Sequence, residues 1–544
     1  MSASESGHPE GVGGRHVADG PHDPEHDPRA SYVLEPEYVA ALTDRIVSTT
    51  GRTVPVSSPL DEAPLANIPQ SSEEDVAEAF RRARVAQAAW ARTSLEERSA
   101  ALLRLHDLVL DRTPEILDLI TLESGKARKH AYDEAAHVAL TARYYARTGH
   151  KHLDTQRRSG VIPVLTRVDH NRIPKGVVGI ISPWNYPLTM AISDGLPALM
   201  AGNAVVTKPD AQTMLTALLG AQLIEEAGFP RDLWVVVAGP GRELGTPIIE
   251  RSDYICFTGS TATGKIIARQ CAERLIGCSL ELGGKNPILV LRDADVELAA
   301  EGAVRASFSN AGQLCVSTER MFVADQVYDR FVERFVARTK AMTLGATLDW
   351  EVDMGTLISK DQLDTAVAHV EDAVAKGATV LAGGRARPDL APYFFEPTIL
   401  EGVTPEMTCF GNETFGPVVS VYRFHDEADA IARANEGEYG LNGSIYSRDG
   451  DRARAIAKHI KCGTVNINEG FASAFGSIDS PMGGMRESGM GRRQGSEGIH
   501  RYTESQTVAT QRLLKIAPNF GMKAETHAKL MTLSLRALKK LGRA

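Results

Sequence analysis

A chain of 544 residues exceeds what one ordinary core organises and implies two or three domains. Its 43% hydrophobic and 24% charged residues fit a soluble globular protein, and a formal net charge of -9 excludes the basic footprint of a nucleic-acid binder. No apolar run is long enough to span a bilayer, and the N-terminus lacks the apolar stretch of a signal peptide. The six cysteines, Cys256, Cys271, Cys278, Cys315, Cys409 and Cys462, form no CxxC pair, a usage that fits a reducing compartment, so a cytoplasmic location is expected.

Residues 1–34, rich in Gly, His and Asp, cannot build a core and are expected to form a disordered leader. Its histidines His8, His16, His22 and His26 are irregularly spaced and have no cysteine with them, so they read as a solvated tail rather than a metal site. A helix is expected over Glu73 to Arg92, with Val76, Phe80, Ala83 and Trp90 on its buried face and Gln87 interrupting that stripe. A second runs from Leu95 to Asp111 behind a capping box, Ser94 with Glu97, and helices continue to about Arg147. Short apolar runs then follow at Gly176–Ser182, Ala204–Lys208, Leu233–Val237 and Tyr254–Thr258, with helical segments at Met214–Ala227 and Thr263–Leu275. Buried strands alternating with helices predict a parallel, doubly wound sheet, and a second α/β stretch spans Pro287 to Asn466. Two polar, β-prone segments, Thr166–Arg172 and Gly498–Val508, read as an arm that pairs into an exposed edge for another subunit. In the last thirty or so residues Ala524, Ala528, Met531, Leu535 and Leu538 line one helical face, with Lys529, Arg536, Lys539 and Lys540 mostly elsewhere. Such a basic amphipathic helix either packs on its own protein, the plainer reading, or lies on a membrane or partner surface.

Four short motifs carry chemistry. Cys315 ends Ser309-Asn-Ala-Gly-Gln-Leu-Cys, where Gly312 and Gln313 allow the backbone to turn closely around a thiolate; the other cysteines read as small buried hydrophobes. Glu281, beside Gly283 and Gly284 at a strand end, can reach into a cleft. Asn185, in the turn Pro183-Trp-Asn-Tyr-Pro187 after a buried strand, can offer its amide to an oxyanion. The strand-turn-helix Phe257-Thr-Gly-Ser-Thr-Ala-Thr-Gly264 suits a pyrophosphate at a helix N-terminus, although it lacks G-x-G-x-x-G. A nucleophile, a base, an amide donor and a nucleotide turn at strand ends make a complete site.

With these motifs in place the sequence resembles the aldehyde dehydrogenase superfamily from roughly Glu37 to Gln506. The resemblance rests on Pro183-Trp-Asn, Lys208-Pro, Phe257-Thr-Gly-Ser, Glu281-Leu-Gly-Gly-Lys, Gly312-Gln-x-Cys315, Glu413-Thr-Phe-Gly-Pro417, Pro481-Met-Gly-Gly and Ser488-Gly-x-Gly-Arg492. Within the superfamily it is similar to actinobacterial members labelled succinate-semialdehyde dehydrogenase (NADP). The resemblance implies an α/β fold with a Rossmann-like nucleotide-binding domain over 35–152 and 171–283, and an α/β catalytic domain over 284–476. It also implies a β oligomerisation arm over 153–170 and 477–508, with 509–544 as a C-terminal extension. It implies oxidation of a small-molecule aldehyde to its acid through a thioester on Cys315, with Asn185 holding the oxyanion and Glu281 activating water. For cofactor it implies NADP or NAD, bound by Trp184, Lys208, Ser260, Glu413 and Phe415, and no metal. NAD-preferring members often carry a glutamate where Ala211 stands here; its absence permits NADP, against which Asp210 is the opposing charge. Succinic-semialdehyde enzymes clamp the distal carboxylate with two arginines, at positions occupied here by Ser193 and Ser309, so a neutral aliphatic or aromatic aldehyde is the alternative substrate. Ser317 stands where some members carry a second, redox-switching cysteine. A homodimer or homotetramer is expected. The rival readings are a non-catalytic scaffold, which intact Cys315, Glu281 and Asn185 argue against, and a cysteine hydrolase, which would need His500 or His459 beside Cys315.

Overall fold

The computed structural model describes residues 17–19, 32–161, 165–512, 515–540 and 542. The expected leader falls mostly outside these residues, as do His8, His16, His22 and His26; within it Val17–Asp19 pairs antiparallel with Tyr32–Leu34.

The helices form where the caps and apolar spacing ask for them. Glu73–Trp90 starts at a capping box of Ser72 and Asp75, and Leu95–Asp111 at the Ser94–Glu97 box. Val76, Phe80, Ala83 and Trp90 are buried, and Gln87, which interrupts their stripe, donates its amide to the Gly202 carbonyl at 3.0 Å. Helices continue to Leu153.

The first sheet has six strands in the order 489–490, 277–281, 254–258, 177–181, 204–208, 234–236, all parallel except Gly489–Met490. The chain starts at the central strand Val177–Ile181, builds outward on one side, then crosses back to build on the other. That reversal opens a crevice beyond the carboxyl ends of Val177–Ile181 and Tyr254–Thr258, the place where open α/β sheets bind ligands.

A second, seven-stranded sheet is built around Asn286–Val290, in the order 379–382, 398–401, 418–424, 318–324, 286–290, 442–446, 464–467. It is parallel apart from the edge strand Thr379–Ala382. Only residues 282–285 separate Asn286–Val290 from Gly277–Glu281 of the first sheet, so the two sheets meet at that short loop.

A third sheet pairs Thr166–Pro174 with Thr503–Gln511 along nine residues, with Gln156–Arg158 on the other side. The paired strands run three residues past the expected arm boundary at 508. The stretch 477–502, grouped with the arm from sequence, instead returns to the first sheet: Gly489–Met490 pairs with Leu280 and Glu281.

The C-terminal helix Ala524–Lys540 has no buried residue, and Leu530, Leu533 and Leu535 are exposed. Met531 and Leu538, on the apolar face expected from the sequence, are half-exposed.

Candidate active site

The loop 282–285 positions most of the site. Gly284 lies so close to the Cys315 carbonyl that a Cβ would meet it at 2.5 Å, and a Cβ on Gly283 would meet Glu413 Oε2 at 2.4 Å. Only glycines allow this loop to sit between the Cys315 backbone and the Glu413 side chain. Asn286, just beyond it, donates its amide to the carbonyls of Cys315 at 2.8 Å and Ser317 at 2.7 Å.

Cys315 follows the Ser309–Gly312 turn, in which Asn310 (φ 52°) and Ala311 (φ 53°) are left-handed without being glycine. Gly312 continues the turn at φ +73°, and a Cβ there would strike the Gly416 carbonyl at 2.1 Å. Such strain concentrates at functional sites. Burial, then the charges of Glu281 and Glu413, push the Cys315 thiol up to about 12. Ser317 donates to the Ala306 and Ser307 carbonyls and offers Cys315 no disulfide partner.

Glu281 ends the Gly277–Glu281 strand and is buried, with Oε1 lying 3.0 Å from where a Cβ of Gly483 would stand. That oxygen has no hydrogen-bond partner, and burial pushes the carboxyl up to about 7. Asn185 is buried in the turn after Val177–Ile181, and its side-chain amide donates to the Gln313 carbonyl at 3.1 Å. Its own carbonyl receives Lys126 Nζ at 2.7 Å and Asn310 Nδ2 at 3.0 Å.

Glu413 accepts the Gly284 N–H at 2.8 Å, and burial followed by the charge of Glu319 raises it to about 8. Phe415, in left-handed backbone at φ 51°, packs edge-on against Trp184 with ring centroids 5.6 Å apart. Cys315, Glu281, Asn185, Glu413, Trp184 and Phe415 thus converge where the two sheets meet. Lys208 ends the strand on one side of Val177–Ile181, and Ser260 lies just beyond the end of the strand on the other. Lys208 is buried, and its Nζ donates to the carbonyls of Pro209 at 3.1 Å and Gly239 at 3.4 Å. Ser260 caps the Thr261–Glu273 helix.

Two buried ion pairs supporting this constellation had no local sequence signal. Lys126 is paired to Glu134 at 2.5 Å beneath Asn185. Lys285 is paired to Glu319, which also accepts the Thr414 and Phe415 N–H groups at 3.0 Å and so fixes the turn after Glu413.

An apolar cluster of Tyr186, Met190, Leu314, Val316, Leu441, Phe471 and Met482 packs against Cys315, with Phe475 beside it. Ser193 is buried against His137 Nδ1 at 3.1 Å, and Ser309 is buried too. The histidines a hydrolase would need are elsewhere: His500 bonds the His152 carbonyl at 3.0 Å, and His459 is exposed.

This geometry agrees with the similarity of the chain to known proteins. The sequence profile of the "Aldehyde dehydrogenase family" matches residues 46–508. A Mycolicibacterium smegmatis protein provisionally named succinate-semialdehyde dehydrogenase [NADP(+)] is 52% identical, over 89% of this chain and 95% of its own. The crystal structure of succinate-semialdehyde dehydrogenase from Burkholderia pseudomallei superposes with a TM-score of 0.82 at 34% identity, covering 86% of this chain and 96% of that one. Betaine aldehyde dehydrogenase from Staphylococcus aureus in complex with NAD+ does so at 0.82 and 31% identity, covering 89% and 100%. The chain belongs to the aldehyde dehydrogenase family and is an oxidoreductase enzyme.

Proposed function

We propose that the protein oxidises an aldehyde to its carboxylic acid with NADP, through a thioester on Cys315 that Glu281 hydrolyses with water. The observation that carries this reading is the glycine loop 282–285, which follows Glu281 directly and packs against Glu413 at Gly283 and against the Cys315 carbonyl at Gly284.

The residues present fit a dinucleotide. Among the described residues the buried Lys208 ammonium has two carbonyl partners, an arrangement open to ribose hydroxyls. The Ser182 hydroxyl, in the crevice at the end of the central strand, is buried without a partner. Ser260 sits at the helix N-terminus toward which a pyrophosphate would bind, and Glu413 and Phe415 border the cleft on the catalytic side. Ala211 presents no charge to a 2′-phosphate, and the Asp210 carboxylate caps its own helical turn, accepting Gln212 N at 3.0 Å, with its charge acting on the Lys208 ammonium. This favours NADP, with NAD as the lesser cofactor.

In the first step the Cys315 thiol gives its proton to the Glu281 carboxylate, which passes it to solvent, the sulfur bonds the aldehyde carbon and the carbonyl oxygen takes the negative charge. One N–H of the Asn185 side chain is spent on Gln313; the other, with the Cys315 backbone N–H, receives the oxyanion. One such donor is worth about 3 kcal/mol of barrier. NADP supplies the acceptor for the hydride that leaves the tetrahedral carbon. Glu281 then takes a proton from water, which attacks the thioester and frees the acid from Cys315.

Succinic semialdehyde is the substrate suggested by the names of the relatives. The apolar cluster against Cys315, and serines at 193 and 309, favour a neutral aliphatic or aromatic aldehyde as the second reading. Initial rates of NADP and NAD reduction with succinic semialdehyde, butanal and benzaldehyde decide between them. A higher kcat/KM for succinic semialdehyde supports the first reading, and a higher value for the neutral aldehydes overturns it. The paired strands Thr166–Pro174 and Thr503–Gln511 suit a homodimer or homotetramer, and the exposed helix Ala524–Lys540 suits contact with a partner or an anionic membrane surface.

A further inference from the structure

A buried charge cluster stands behind Glu281 that the steps above do not use. Asp194, in the turn after Thr189–Ser193, receives two guanidiniums on one carboxylate oxygen, Arg501 Nη2 at 2.8 Å and Arg493 Nη2 at 3.3 Å. The three side chains are only 4–8% exposed. Arg501 spends another N–H on Ser279 Oγ at 2.9 Å. Arg493 turns its Nη1 to Met190 Sδ at 3.4 Å, a weak acceptor, and Met190 belongs to the apolar cluster around Cys315.

The backbone ties Arg493 to the base from a second direction. Arg493 and Met482 exchange both N–H···O bonds, at 2.7 and 2.8 Å, and the residue after Met482 is Gly483, against which Glu281 Oε1 lies. Arg493 thus sits one β-bridge from the carboxylate and one side chain from the cleft wall.

Charge balance gives this placement a consequence. Two buried guanidiniums on one carboxylate leave a positive charge in excess, and an unbalanced buried charge is strongly destabilising. The charged groups facing Glu281 are Arg493, Arg501 and Arg492 from the C-terminal segment and Asp194 from the Thr189–Ser193 side, with Cys315 across the cleft. Among the buried side chains, ionised Glu281 and Asp194 balance Arg493 and Arg501 at two anions and two cations; protonated Glu281 leaves them unbalanced, and the half-buried Arg492 adds a third cation on the same side. Burial raises the Glu281 carboxyl, Arg493 is foremost among the charges that lower it, and Asp194 opposes them.

We propose that Arg493, held by Asp194, is a positioning residue whose guanidinium keeps Glu281 ionised for thioester hydrolysis. The proposal rests on the reading of Glu281 as the base.

The test is the pH dependence of acyl-enzyme decay, followed by quenched intact-mass spectrometry on the full-length enzyme with NADP and either succinic semialdehyde or butanal. Arg493→Met moves the acid limb up by about one pH unit for both aldehydes, the size expected for losing a nearby opposite charge. Asp194→Asn moves the limb the other way, and Arg493→Lys restores the wild-type position. A purely structural role lowers the rates of all variants and leaves the limb in place, which overturns the proposal. So does a limb that moves in the same direction in Arg493→Met and Asp194→Asn. An effect of Arg493→Met confined to KM for succinic semialdehyde, with the limb unmoved, makes Arg493 a carboxylate anchor and overturns it as well. If Arg493→Met does not fold, as a thermal melt would show, the Asp194→Asn limb decides by its direction. Glu281→Gln is run in parallel: unchanged hydrolysis there removes the base itself, a failure distinct from an unmoved limb in the Arg493 variants.

Discussion

Burial displaces three ionisable side chains around one glycine loop: the Cys315 thiol goes up to about 12, the Glu413 carboxyl to about 8 and the Glu281 carboxyl to about 7. For Glu281 the sign matters, because a base works as the carboxylate. As pH falls through about 7 the group protonates, so thioester hydrolysis falls roughly tenfold per pH unit below that value and is level above it. A rate–pH profile that stays flat down to the ordinary glutamate range would contradict this assignment. Cys315→Ala removes dehydrogenase turnover while NADP binding, read by fluorescence, persists. Retained oxidation in that variant would exclude Cys315 as the nucleophile.

At the scale of elements, the turns that place the site were legible where the chemistry is local. The Ser94–Glu97 box, the Ala204–Lys208 strand and the turn after Val177–Ile181 follow from spacing over a few residues. The left-handed Ala311 did not, because nothing in its side chain asks for positive φ; its neighbour Asn310, a residue type that tolerates it, is held there by bonds to His130, Asn185 and Gln313. The pairs Lys126–Glu134, Lys285–Glu319 and Arg493–Asp194 were hidden for a related reason. Each charge looks like a surface residue until the fold brings its partner from elsewhere and buries both. The Asp210 charge is shared between its cap and Lys208, and no carboxylate stands at Ala211 to repel a 2′-phosphate. Ala211→Glu should raise KM for NADP at least about tenfold, since a like charge in that place costs several kcal/mol, and leave KM for NAD nearly unchanged. Equal changes for both cofactors would show that the 2′-phosphate does not bind there.

For the whole molecule, alternating apolar runs and helices announced two α/β sheets, and both are present. The sequence pattern could not tell that 477–502 folds back over the Glu281 strand, because its contacts reach across some two hundred residues and carry no periodicity. The C-terminal helix was recognisable from its own amphipathic pattern, but where it rests was not. It buries nothing against its own chain, so deleting the residues after Pro518 should leave Tm and kcat unchanged and remove any sedimentation with anionic vesicles. A large fall in Tm would mean that the helix is part of the folded assembly.

The central claim is that oxidation proceeds through an acyl group on Cys315 that Glu281 removes. Intact-mass measurement of Glu281→Gln after mixing with NADP and a turned-over aldehyde tests it most directly. The account predicts one equivalent of reduced cofactor and a stable acyl adduct that maps to Cys315. Undiminished turnover with no adduct would contradict it.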